Sequence, residues 1–114
     1  MTLHATCRDN SDVAVVDFSG RITLGEGSAL LRDTIRNLTS IGKKKILLNL
    51  ADVDYIDSAG IGELVGAYTT VANASGELKL LNLTKRVHDL LQITKLVTVF
   101  DVQNEEWTAI HSFK

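Results

Sequence analysis

Between residues 46 and 74 the chain changes period, and that change restricts the fold more than any other feature. Residues 46–50, Ile-Leu-Leu-Asn-Leu, are apolar on both faces apart from Asn49. That is the pattern of a strand covered on both sides, central in its sheet. An acidic loop carrying Asp52, Asp54 and Asp57 follows and ends at Ser58. From Ser58 to about Ala74, Ile61, Leu64, Val65, Tyr68, Val71 and Ala72 recur at helical spacing, with Gly76 placed to stop the helix. A buried strand feeding a helix is half of a βαβ unit and calls for a sheet with a parallel core.

The flanking segments extend the same alternation. Residues 2–8 read as a weak edge strand, and Asp9, Asn10, Ser11 and Asp12 as a turn. In residues 13–18, Ala14, Val16 and Phe18 share one face and Val13 and Val15 the other, so this strand is also covered twice. The tight turn predicts that the first two strands are antiparallel. Thr23 and Glu26 have capping-box spacing, and Ser28 is an equally good cap. Leu31, Ile35 and Leu38 form one buried helical face, with Gly42 as its stop. Residues 77–83 read as a strand, and Thr84 as the cap of a short helix holding Val87, Leu90 and Leu91. Residues 97–100 read as a last strand and 105–113 as a final helix. The expected architecture is α/β: a small sandwich over residues 1–114, one domain, with a mixed four- to five-stranded sheet and helices mainly on one face.

Composition narrows the function classes. A chain of 114 residues buries roughly two-thirds of its unfolded surface and needs no covalent staples. Hydrophobic content of 45% with 23% charged residues is that of a water-soluble globular protein, and a net charge of −2 gives no basic surface for nucleic acid. The single Cys7 forms no internal disulfide, which fits a reducing cytoplasm. Met-Thr-Leu-His opens without the apolar core of a signal peptide, and no apolar run approaches the ~20 residues that span a bilayer.

Few side chains are arranged for chemistry. Ser58 can be a helix N-cap; if Asp57 is the cap instead, Ser58 is an exposed first helical residue with a free hydroxyl. In either case it lies where unpaired N–H groups and the helix dipole favour an anion such as a phosphate. Asp52, Asp54 and Asp57 serve turn formation and capping, or an acidic docking edge. Gly60, Gly62 and Gly66 match neither the dinucleotide fingerprint nor the P-loop. Gly62 and Gly66 lie four apart on one side of the helix, which suggests close approach of a backbone, from the fold or from a partner. His4, His88 and His111 have no metal-ligand spacing, so no metal, no cofactor and no catalytic group is expected. Cys7 reads as a buried or half-buried strand thiol, and Trp107 and Phe113 as core packing in the last helix.

A family resemblance rests on the same residues. Asn49-Leu50, then Asp52-Val53, then Ile56-Asp57-Ser58-Ala59-Gly60-Ile61-Gly62 resembles the STAS domain, and most of all its anti-sigma factor antagonist branch. Phe18-Ser19-Gly20-Arg21-Ile22, residues 80–83, 87–96 and 99–102 resemble further family segments in the same order. The resemblance implies a non-enzymatic bacterial regulator of transcription that binds an anti-sigma factor serine kinase while Ser58 is free, releasing a sigma factor. The kinase then phosphorylates Ser58 and affinity falls; a separate phosphatase resets the switch. Asp57, Ala59, Gly60 and Gly62 would form the contact, with Thr23 and Glu26 on its rim. Thr23 stands where the family often carries an Asp of the kinase-contact surface. The alternative reading is a STAS scaffold subunit of a stress-sensing or lipid-transport complex, not switched by phosphate.

Overall fold

The computed structural model describes residues 2–114. Two strands open the chain, β1 (Leu3–Asn10) and β2 (Val13–Ile22), paired antiparallel around a turn in which Ser11 takes a left-handed φ of 57°. The chain continues through α1 (Glu26–Ser40), β3 (Lys45–Ile56), α2 (Ser58–Asn73), β4 (Glu77–Leu81), α3 (Lys85–Ile93), β5 (Val102–Gln103) and α4 (Glu106–Ser112). Among the described residues the sheet has five strands in the order β1-β2-β3-β4-β5. Every pairing after the first is parallel. The connections at the C-terminal ends of β2, β3 and β4 therefore gather at one end of the sheet, where ligands and partners of open parallel sheets are usually met.

The twice-covered pattern of β2 and β3 has a direct cause. Val16, Phe18, Leu48 and Leu50 face the main core with Leu31 and Ile35 of α1, Leu64 of α2, and Val87 and Leu91 of α3. Val13, Val15 and Leu47 face the other way, with Leu81, and are covered by Ala109 and Ile110 of α4. Helices α1, α2 and α3 thus lie on one face and short α4 on the other. Polar contacts tie α4 at both ends: Arg8 pairs with Glu106 at 2.6 Å, and Lys79 Nζ donates to Ser112 Oγ at 2.9 Å.

Several elements depart from expectation. Strand β3 does not stop at Leu50 but runs on to Ile56, so Asp52 and Asp54 lie on a strand and not in a loop. Its register against β2 slips twice: Asp17 and Ser19 oppose Asn49 and Asp52, and Gly20 and Arg21 oppose Val53 and Tyr55. Each slip inserts one extra residue into β3, a β-bulge. The bulges re-aim the strand so that Leu50, Val53 and Ile56, three apart, all reach the core. The capping box at Thr23 and Glu26 does not form; the cap of α1 is Gly25, at φ 100°, without a side-chain bond. Strand β4 ends at Leu81. The closing strand lies at Val102–Gln103, because residues 97–99 are taken up by turns and Phe100 inserts into the core, edge-on to Tyr68 at 5.7 Å. Cys7 is exposed, and Trp107 is 66% exposed, stacked on His111 at 4.1 Å between centroids and not packed in the core. Phe113 is partly buried against the α4 cluster.

Candidate functional site

The site is built where β3 hands over to α2. Asp57 leaves β3 in an extended conformation and is the N-cap of α2, its Oδ1 accepting the Gly60 N–H at 2.8 Å. Its other oxygen accepts the Leu24 N–H at 3.0 Å, across 33 residues of sequence. The Asp57 N–H donates in turn to the Ile22 carbonyl at 3.3 Å. One residue thereby binds the β2–α1 loop to the start of α2. The Leu24 and Gly60 amides hold the Asp57 carboxyl below the usual carboxylate range, so it is ionised at neutral pH.

With the cap taken by Asp57, Ser58 is the first residue of the helix and is exposed. Its hydroxyl makes no hydrogen bond among the described residues. Beside it, Ala59 is half-buried and Gly60 fully buried. A Cβ on Gly60 would overlap the Ile22 carbonyl oxygen and come within 2.7 Å of Ile56 Cγ1, so only glycine lets α2 start this close to β2. Gly62 is the opposite case: a Cβ there meets nothing within 4 Å. Gly62 and Gly66 instead floor a groove of about 320 Å³ between α1 and α2, walled by Arg32, Arg36 and Glu63, with Arg32 and Glu63 paired at 3.1 Å. The backbone that these glycines could admit is not one of the fold's own.

Thr23 is half-buried in the β2–α1 loop, its carbonyl accepting the Ser28 N–H at 2.9 Å. Glu26 is exposed at the first position of α1. Thr23 precedes Leu24, whose N–H is bonded to Asp57, whereas among the described residues Glu26 makes no hydrogen bond or ion pair with Asp57 or Ser58. Leu24, which sequence reasoning passed over, is 79% exposed at the tip of that pinned loop. No sequence pattern singles it out, because its bond to Asp57 is made by main chain. Among the described residues no group of His, Cys, Asp and Glu is placed to hold a metal ion. Among the described residues no helix is long and apolar enough to cross a membrane.

An exposed serine on a capped helix, at the C-terminal end of a mixed sheet, meets a match of the STAS domain model to residues 4–109. The chain belongs to the STAS domain family. This STAS protein is 31% identical over 102 residues to the anti-sigma-B factor antagonist of Bacillus subtilis (strain 168), covering 90% of this chain and 92% of that one. It therefore groups with the anti-sigma factor antagonists. Its fold is that of an anti-sigma factor antagonist from Mycobacterium paratuberculosis, with a TM-score of 0.86 at 18% identity over 98% of this chain and 94% of that one. The Bacillus cell fate determinant SpoIIAA, in its phosphorylated form, matches with a TM-score of 0.73 at 19% identity over 95% and 97% of the two chains.

Proposed function

We propose that this STAS domain is a phosphorylation-switched binding module. With Ser58 free, the β2–α1 loop and the start of α2 bind an anti-sigma factor serine kinase and so release a sigma factor. Phosphorylation of Ser58 ends the complex, and a phosphatase restores it. The protein acts by binding, in the cytoplasm, and catalyses nothing itself.

The observation that carries this reading is the division of labour between Asp57 and Ser58. Asp57 makes the cap bonds, so the Ser58 hydroxyl is exposed and structurally unemployed. A phosphate there adds about −1.5 to −2 charge next to an ionised carboxylate. The helix N-terminus offsets part of that repulsion. The fold loses little, and the change is felt by whatever docks on this end of the sheet. In this reading Asp57, Ala59 and Gly60 shape the contact, Gly62 leaves room for the partner backbone, and Thr23 and Glu26 form the rim.

Phosphopeptide mapping of the protein from its native cells, combined with capture of bound proteins by wild type and by Ser58→Asp, tests the reading. The expected result is phosphate on Ser58 and a serine kinase held by wild type alone. Equal capture of the same partner by both proteins would favour a constitutive scaffold.

A further inference from the structure

Close to Ser58 the same end of the sheet carries a second recognition element of opposite charge. Tyr55 lies three residues before Ser58 on β3, and Arg21 is its register partner on β2. Arg86 comes from the first turn of α3, which packs against β3. Both guanidinium groups lie over the Tyr55 ring, 5.5 Å and 5.8 Å from its centroid. A guanidinium at this distance from a ring face is drawn to it by cation–π attraction and keeps N–H groups free to bind. Arg21 and Arg86 are both exposed, and neither pairs with a carboxylate among the described residues. Arg8 and Arg32, in contrast, are each committed to an acidic partner. Tyr55 and Arg86 border an open depression of about 570 Å³ whose wall includes Leu90, Lys85 and Asp89. Lys85 and Asp89 neutralise each other at 2.8 Å, so the unbalanced charge on the wall is that of Arg86, and Arg21 adds a second cation at the Tyr55 ring just outside it.

We propose that Arg21, Tyr55 and Arg86 form a receptor for a glutamate or aspartate side chain on a partner protein. A planar fork matches a carboxylate bidentately, and the depression beside it has room for the side chain that carries it. The surroundings select the class of partner. Asp54 and Asp57 lie within two residues of Tyr55, Asp52 is on the same strand, and the chain is acidic overall, at −2. Nucleic acid or an anionic bilayer would bring negative charge against all of them. A protein surface of mixed charge can place one carboxylate on the arginines and keep cations opposite the aspartates. The assignment of this partner to the one contacting Ser58 rests on the proposed switch, since both elements face the same end of the sheet; the receptor itself does not.

The test is an NMR titration of the full chain with the blocked peptide Ac-Lys-Gly-Glu-Gly-Lys-NH2. The Arg21 and Arg86 Nε–H and the Tyr55 ring signals should shift saturably, and more weakly as salt is raised. The peptide with Gln in place of Glu should shift them at least about tenfold less, as should the Glu peptide on the Arg21→Gln/Arg86→Gln variant, whose unchanged amide spectrum shows it folded. Lys43→Gln, a cation at the opposite end of the sheet paired with Asp9, should behave as wild type. Equal response to the Gln peptide, no response, or a stronger response to inorganic phosphate would each overturn the proposal. In the capture experiment, the same double variant should hold the kinase about tenfold less well; undiminished capture would overturn the placement of that kinase here. Failure of wild type to capture any kinase sinks the switch reading, while the peptide titration still decides on the receptor.

Discussion

The Asp57 carboxylate accepts the Leu24 N–H at 3.0 Å, so a loop from the end of β2 and the first turn of α2 are held by one side chain. That bond, with the cap bond to Gly60, relieves Ser58 of structural duty and fixes the surface around it.

Removing the carboxylate should be felt in stability. Asp57→Ala loses an N-cap, worth about 0.5–2 kcal/mol, and a second hydrogen bond worth about 0.5–1.5 kcal/mol. We expect a total loss of about 1–3 kcal/mol by urea unfolding, with the Leu24 amide becoming faster to exchange. A midpoint equal to that of wild type would show that the clamp contributes nothing.

The same clamp sets a pH dependence. The Asp57 carboxyl is held below its usual range by the Leu24 and Gly60 amides, so its folded value is lower than its unfolded one. Its contribution is complete above the unfolded range, near pH ~3.9, and is lost as pH falls through the folded value. Wild type should exceed Asp57→Asn in urea midpoint at neutral pH, and the gap should close with acidification below about pH 4. A gap that is constant down to the acid limit contradicts this.

Glycines of α2 should divide sharply. Gly60→Ala should destabilise strongly, because its Cβ overlaps the Ile22 carbonyl. Gly62→Leu has open space, and should leave the unfolding midpoint unchanged or raise stability by up to about 1 kcal/mol through helix propensity. The same variant should lose the kinase, since the side chain fills the groove between α1 and α2. A Gly62→Leu protein that folds normally and binds at full strength would remove that groove from the contact surface.

On the buried side of α2, Leu64 is completely enclosed, and Leu64→Ala should cost about 2–4 kcal/mol. Val65 is only half-buried, so Val65→Ala should cost about 1 kcal/mol or less. Comparable losses for the two would mean that the helix is rotated from the position described.

What the sequence makes legible is what local pattern encodes. The apolar faces of β2, the central place of β3, the antiparallel first pair, the Thr84 cap and the span of α2 all follow from short-range periodicity and turn residues. The same rules mislead where distant contacts override them. Beyond Leu50 the two bulges change the apolar spacing from every second residue to every third, so Val53 and Ile56 look like loop residues although they are buried. The Thr23 and Glu26 spacing imitates a cap, but the chain instead turns through Gly25 at φ 100°. Trp107 looks like core because of its size; on a helix as short as Glu106–Ser112 the buried face is filled by Ala109 and Ile110, and the indole stacks outside on His111. Residue pattern leaves the cap open between Asp57 and Ser58, and the decisive bond to Leu24 is made by main chain, which no residue pattern reveals.

The central claim is that charge at Ser58 acts on the partner and not on the fold. Calorimetric titration of the captured anti-sigma kinase with wild type and with Ser58→Asp measures it directly, provided that both proteins unfold at the same urea midpoint. The account predicts affinity for Ser58→Asp weaker by about 1–3 kcal/mol, roughly ten- to a hundredfold or somewhat more. Equal affinities from two equally stable proteins would contradict it.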